Sequence, residues 1–162
     1  MATRSFATFL LNEQLFGIEI LLVREINRQL EMSIVPHAPA FVRGLINLRG
    51  QIVTVLDLNH KLGLGDLELT HRTHNIILKT EQELDGVRQR EQRSDLYSCE
   101  DKIGLLVEDI QDVITVEQGE IEPPPANVGQ IDGKYLSGVV KLDNKLVSII
   151  SIEKVLEAAE NN

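Results

Sequence analysis

The chain has 162 residues, 43% of them apolar, and a formal net charge of −9. That length supports one ordinary domain or two very small ones, and a surface this negative repels nucleic-acid phosphates and anionic lipid, with no basic stripe to offset it. Aromatic content of 4% with no tryptophan removes the stacking platforms of single-strand binders, which leaves a protein partner or a small ligand. No apolar run approaches the roughly 18 residues that span a bilayer. The opening Met1-Ala2-Thr3-Arg4-Ser5-Phe6 lacks the apolar stretch of a leader, and the single Cys99 has no internal disulfide partner. A soluble cytoplasmic protein is expected.

In chain order, residues 6–11 and 15–20 flank the polar turn Asn12-Glu13-Gln14, a hairpin pattern. Residues 42–48 and 51–56 flank Arg49-Gly50, where glycine supplies the positive φ of a tight turn. Asp57 is placed to cap a short helix. Residues 75–78 and 103–107 read as strands. Between them, residues 81–102 are half charged and lack apolar periodicity, so they read as a mobile connecting loop. This loop divides the chain into a first barrel, 1–80, whose first strand could pair with the second barrel, and a second barrel with a helix, 103–162. A short Gly/Ser turn in place of residues 82–98 is expected to cost little stability, because loop-closure entropy grows slowly with length. Further on, Leu142 and Lys145 flank Asp143-Asn144, a pair tolerant of left-handed backbone. Ser151 is placed as a cap, and Ile152, Val155, Leu156 and Ala159 form the apolar stripe of a C-terminal helix.

The chain also repeats itself. The run from Phe41 to Leu56 aligns without gaps to the run from Tyr135 to Ile150, and continues into Asp57-Leu58 over Ser151-Ile152. Every large apolar or aromatic position of the first copy up to Leu58 is apolar or aromatic in the second, and Gly44 falls on Gly138. Upstream, Val23-Arg24-Glu25-Ile26 is similar to Val107-Glu108-Asp109-Ile110. Two copies of one supersecondary unit, each near the size limit for independent folding, are expected to share an interface.

Several stretches together resemble the CheW family. These are Phe16-Gly17-Ile18-Glu19-Ile20-Leu21-Leu22-Val23-Arg24-Glu25-Ile26, the run from Val35-Pro36-His37 through Gly44-Leu45-Ile46-Asn47-Leu48-Arg49-Gly50 to Leu58, Ile103-Gly104-Leu105-Leu106-Val107-Glu108-Asp109-Ile110, and Tyr135-Leu136-Ser137-Gly138. The resemblance covers nearly the whole chain and fails only in residues 81–100. It implies an all-β fold of two side-by-side five-stranded SH3-like barrels with short helices. It also implies a chemotaxis adaptor, cytoplasmic and recruited to membrane receptor arrays, that couples the cytoplasmic tip of a methyl-accepting chemoreceptor to the regulatory domain of the histidine kinase CheA.

Carried over residue by residue, the resemblance places receptor contacts at Val23, Glu25, Gly44, Asn47 and Arg49. Glu25 and Arg49 fall on a paired acid and arginine, and a bidentate guanidinium–carboxylate contact would fix two loops at a groove edge. It places kinase contacts at Ile121, Glu122, Pro123, Pro124, Pro125 and Asn127, where prolines pre-set an extended surface. Glu122 and Asn127 depart from the basic and aromatic residues of better-known members.

Catalytic patterns are weak. His71-x-x-His74 with His60 lacks a third ligand at a recognisable spacing, so no metal site is expected. Gly63-Leu64-Gly65 is not a phosphate-binding pattern, and Cys99 has no motif around it. The sequence points away from an enzyme and requires no cofactor. Two alternatives stay open: an adaptor of a chemosensory-like pathway for pili or surface motility, and a small-ligand sensor built on the same barrels.

Overall fold

The computed structural model describes residues 2–160, with side chains described through residue 157; Ala159 of the expected helical stripe lies beyond these. In chain order the elements are β1 (Thr3–Leu11), β2 (Gln14–Glu19), β3 (Val23–Asn27), β4 (Val42–Leu48), β5 (Gln51–Asp57), α1 (Leu58–Lys61), β6 (His74–Leu78), α2 (Glu81–Glu91), β7 (Ile103–Val107), β8 (Asp109–Glu117), β9 (Ile121–Glu122), β10 (Asn127–Val128), β11 (Ile131–Asp132), β12 (Leu136–Leu142), β13 (Lys145–Ile150) and α3 (Ile152–Glu160). Among the described residues no helix is long and apolar enough to cross a membrane.

The strands form two main sheets, ordered β3-β6-β7-β5-β4 and β8-β1-β2-β13-β12-β9. The grouping differs from the division into 1–80 and 103–162. The hairpin of β1 and β2 lies in the second sheet, where β1 pairs with β8 and β2 runs parallel to β13. β7 instead completes the first sheet, antiparallel to β6 and parallel to β5. The first barrel therefore spans 23–107, and the second is closed by the chain's two ends.

Burial explains why the hairpins are shared. Along β1, Ala7, Phe9 and Leu11 enter the large central cluster, while Phe6 joins the small core of the second barrel. Along β6 and β7, Ile76, Leu78, Leu105 and Val107 enter the same central cluster, while Ile77 and Leu106 fill the first barrel. These strands are covered on both faces, so they read as continuous apolar runs rather than alternating ones. Each barrel has few interior residues of its own, and the seam between them holds the larger core.

The pairings also show how the internal repeat is built. Thr54 and Val55 of β5 face Ile103 and Gly104 of β7, and their counterparts Ser148 and Ile149 of β13 face Phe16 and Gly17 of β2. Following the pairings outward, Val23 opposite Leu78 matches Ile110 opposite Phe9, and Ile26 opposite Ile76 matches Val113 opposite Ala7. Both ladders carry an irregularity at the same point. Glu25 thus corresponds to Asp112. The sequence match of Val23-Arg24-Glu25-Ile26 to Val107-Glu108-Asp109-Ile110 is out of register: Gly17 corresponds to Gly104 and Val23 to Ile110 with the same spacing in both copies, so Val107-Glu108-Asp109 is the counterpart of Ile20-Leu21-Leu22.

The shared glycines have a common cause. A Cβ on Gly44 would meet the Ser33 carbonyl oxygen at 2.6 Å, and one on Gly138 would meet Ile121 Cγ2 at 2.7 Å and the Glu122 carbonyl oxygen at 3.0 Å. In each barrel a strap crosses over the glycine: Ser33 bridges to Leu45, and β9 pairs with β12.

The charged stretch 81–102 is not a mobile loop. Thr80 opens α2 with a capping box, its hydroxyl accepting from Glu83 N at 3.3 Å and Glu83 Oε1 accepting from Thr80 N at 3.0 Å. Leu84, Val87 and Leu96 are buried in the central cluster. Arg88 donates to the Leu96 carbonyl at 2.7 Å, folding the segment after the helix back onto it. Arg93 reaches across to Glu19, a carboxylate only 5% exposed that also accepts from Arg4 at 2.9 Å. Three apolar anchors and one charge cluster suffice to order a segment whose average composition is polar.

Replacing residues 82–98 by a short Gly/Ser turn therefore uncovers part of the central seam. Full burial of each of Leu84, Val87 and Leu96 contributes about 1.5–3 kcal/mol, so the shortened chain is expected to unfold at clearly lower urea. Leu84→Ala alone should cost about 2–5 kcal/mol. An unchanged urea midpoint in both variants would return the segment to the role of a spacer.

Candidate functional site

The polar edge of the first barrel is assembled from β3 and the β4–β5 hairpin, which occupy its two sides in the sheet order. Arg49 and Gly50 both take positive φ, 51° and 84°, in the two-residue turn. Asn47 tightens it by accepting from Gly50 N at 2.9 Å through Oδ1. The turn delivers Arg49 to β3, where its Nη2 donates to Glu25 Oε2. Asn27 Nδ2 donates to the other oxygen of the same carboxylate at 2.9 Å. Glu25 thus takes one contact from each of two partners, not the expected bidentate one from Arg49, and the pair ties a strand to a hairpin turn. Arg49's hydrogen bond, assisted by that of Asn27, holds the Glu25 carboxyl below its ordinary value.

The remaining expected receptor positions divide by environment. Asn47 is exposed beside the pair, opposite Ile52, which is 59% exposed. Val23 is half-buried and packs on the central cluster, with Arg24 next to it 3.7 Å from Glu83 of α2. Gly44 is buried beneath the Ser33 strap and presents no side-chain surface of its own. Asn27 was not anticipated from sequence; its signal is its position two residues after Glu25 on the same strand face.

The proline segment lies on the other barrel. Ile121 packs on its core, and Glu122 is exposed, 3.6 Å from Lys141. Pro123 and Pro125 are exposed, and Pro124 is half-buried. The segment is pinned where Gly133 N donates to the Ala126 carbonyl at 2.7 Å, and Asn127 then enters the small β10–β11 hairpin opposite Asp132. The structure keeps the two sets of expected contacts apart, the acid–arginine edge on one barrel and the proline ridge on the other.

The histidines do not converge. His60 Nδ1 is 2.6 Å from Asp66 Oδ1, and His74 Nδ1 is 2.7 Å from the Arg72 carbonyl oxygen. Asp57, fully buried, is satisfied by Arg43 at 3.1 Å, His60 N at 3.0 Å and Leu67 N at 2.8 Å, which makes it an anchor for the turn after α1.

Two SH3-like β-barrels joined by a common apolar seam define the class of protein. The chain belongs to the CheW-like domain family, whose model matches residues 5–160. It is 29% identical to the chemotaxis protein CheW of Rhizobium meliloti (strain 1021), over 97% of this chain and 90% of that one. It is 30% identical to the chemotaxis protein CheW of Bacillus subtilis (strain 168), over 92% of this chain and 84% of that one. Among solved structures it is similar to the scaffolding protein TtCheW from Thermoanaerobacter tengcongensis, with a TM-score of 0.75, 30% identity, and coverage of 94% and 86% of the two chains.

The depressed Glu25 carboxyl sets a pH dependence. The folded chain binds that proton less readily than the unfolded one, so the pair contributes stability above the ordinary glutamate range and loses it as pH falls through the lowered folded value. Glu25→Gln should be less stable than the parent at pH 7, by no more than about 1 kcal/mol for so exposed a pair. The difference should close as pH falls below about 4. Urea titrations of both proteins across this range check it; a gap that widens on acidification contradicts the assignment.

Proposed function

We propose that this chain is a non-catalytic chemotaxis adaptor, coupling the cytoplasmic tip of a methyl-accepting chemoreceptor to the regulatory domain of the histidine kinase CheA. The observation that carries this reading is the Glu25–Arg49 contact, made between residues 24 positions apart and held at an exposed barrel edge. Asn47 braces the turn that carries Arg49, and Val23 and Gly44 lie on the same barrel. Family membership over residues 5–160 supports the partner class. The receptor tip binds at this edge, and the kinase domain binds along Ile121, Glu122, Pro123, Pro124, Pro125 and Asn127. Ligands on separate barrels leave one chain able to hold both at once. The adaptor works in the cytoplasm and is recruited to membrane receptor arrays through these contacts, with the phosphoryl chemistry residing in the kinase.

The test is reconstitution. Adding the chain to a cognate receptor in membranes and its kinase should raise kinase autophosphorylation, while the chain alone turns over no nucleotide. Arg49→Glu sets two carboxylates against each other and should weaken receptor binding at least about tenfold with the fold retained. The exchanged pair Glu25→Arg with Arg49→Glu should recover part of that loss. Unchanged autophosphorylation with binding intact would sink the adaptor reading; equal receptor affinity of the parent and Arg49→Glu would remove this edge from it.

A further inference from the structure

The internal repeat brings two aromatic rings to the seam, and each carries a lysine. Phe41 and Tyr135 are equivalent: the Phe41 carbonyl accepts from Asp57 N at 2.7 Å, and the Tyr135 carbonyl accepts from Ser151 N at 2.8 Å. Both rings belong to the central core, Phe41 buried in it and Tyr135 half-buried against it. Lys61, the last residue of α1, sets its Nζ 4.2 Å from the centre of the Phe41 ring. Lys134 comes from the 3-10 turn Gly133–Tyr135 before β12, with its Nζ 5.1 Å from the centre of the Tyr135 ring. Each barrel thus supplies one lysine.

The two ammonium groups are close enough to act on each other. Among the described residues neither forms an ion pair with a carboxylate, whereas Lys141 and Lys154 pair with Glu122 and Glu157. Asp132, the acid nearest Lys134 in the chain, is engaged by the turn itself and accepts from Lys134 N at 2.9 Å. Burial holds the Lys61 ammonium below its ordinary pKa, and the charge of Lys134 lowers it further. A larger share of this side chain is therefore neutral amine than on a solvated lysine, and the neutral amine is the nucleophile. Lys134 is exposed and stands as a cation beside it. A nucleophilic amine next to a fixed cation suits an electrophile that carries its own anion.

We propose that Lys61 is an acylation site for small acyl phosphates, with Lys134 holding the phosphate of the donor. The Lys61 nitrogen attacks the acyl carbon and forms an amide. The bond from that carbon to the bridging oxygen breaks, and the oxygen leaves with its electron pair as inorganic phosphate. The proton lost by the amine goes to water, and nothing is oxidised or reduced. The acyl group removes the charge of Lys61, and with it both the attraction to the Phe41 ring and the repulsion from Lys134. Acylation thus resets the electrostatics where the two barrels meet. The site uses none of the residues of the Glu25 edge or the proline ridge, so it is independent of the adaptor reading.

The full chain is incubated with acetyl phosphate near neutral pH, and acetylation of each of its seven lysines is followed in time by peptide mass spectrometry. Lys61 is expected to react at least about tenfold faster than any other lysine. Lys134→Gln removes the cation and should slow transfer from acetyl phosphate to Lys61 at least about tenfold. The same variant should slow transfer from para-nitrophenyl acetate, a neutral donor, far less, because only the phosphate needs Lys134. Lys134→Arg keeps the charge and should keep most of the rate. Circular dichroism checks that each variant is folded, and the exposed position of Lys134 makes its loss of little consequence to packing. Labelling spread evenly over the lysines, or fastest elsewhere than Lys61, would overturn the proposal. So would equal slowing of both donors by Lys134→Gln, or an unchanged rate with acetyl phosphate.

Discussion

The constraint on which the structure depends is that strands β1, β2, β6 and β7 must be buried on both faces. One face of each hairpin fills a barrel too small to be stable alone, and the other joins the seam where Phe9, Phe16, Ile76 and Leu105 meet. A barrel whose interior cluster amounts to Phe6, Val116, Val140, Val147 and Ile149 removes little apolar area from water, so most of the hydrophobic stabilisation resides in the seam. The crossing of the chain follows from this. The N-terminal hairpin completes the second barrel and the 103–107 strand completes the first, so the first barrel is the contiguous span 23–107 and the second is assembled from the stretches on either side of it.

That arrangement makes the two barrels pseudo-equivalent and leaves their edges free to diverge. The interior positions of both copies stay apolar, and Gly44 and Gly138 each leave room for a crossing strap. At the open end, packing no longer dictates residue type, and the copies part. One carries Glu25 and Arg49, the other Asp112 and Asp143. The equivalent turns keep the same left-handed backbone, with φ 51° at Arg49 and 50° at Asp143.

The α2 segment illustrates how average composition misleads. Half its residues are charged, yet Leu84 and Val87 are three apart on one helical face, and Leu96 returns to the same cluster. The capping box Thr80-Glu81-Gln82-Glu83 stands in the sequence as a start signal. Its arginines find acids: Arg88 pairs with the nearby Glu81 and Asp85, and Arg93 with Asp95 and, across the fold, the buried Glu19. A helix needs only one apolar stripe, and a window average hides it.

The sequence by itself determined the hairpins at Asn12-Glu13, Arg49-Gly50 and Asp143-Asn144, the caps at Asp57 and Ser151, the repeat of 41–58 in 135–152, and the pairing of Glu25 with Arg49. These rest on local turn chemistry, on alternation, or on family motifs, all of which lie within short stretches of chain. Tertiary structure alone decided which barrel the N-terminal hairpin and the 103–107 strand join, that the apolar stripe of 81–91 packs on the seam, that Asn27 shares the Glu25 carboxylate, and that Glu25 corresponds to Asp112 and not to Asp109. Each of these depends on pairings between strands distant in the chain, or on which face meets the common seam. A strand apolar on both faces carries no mark of which neighbour it will choose.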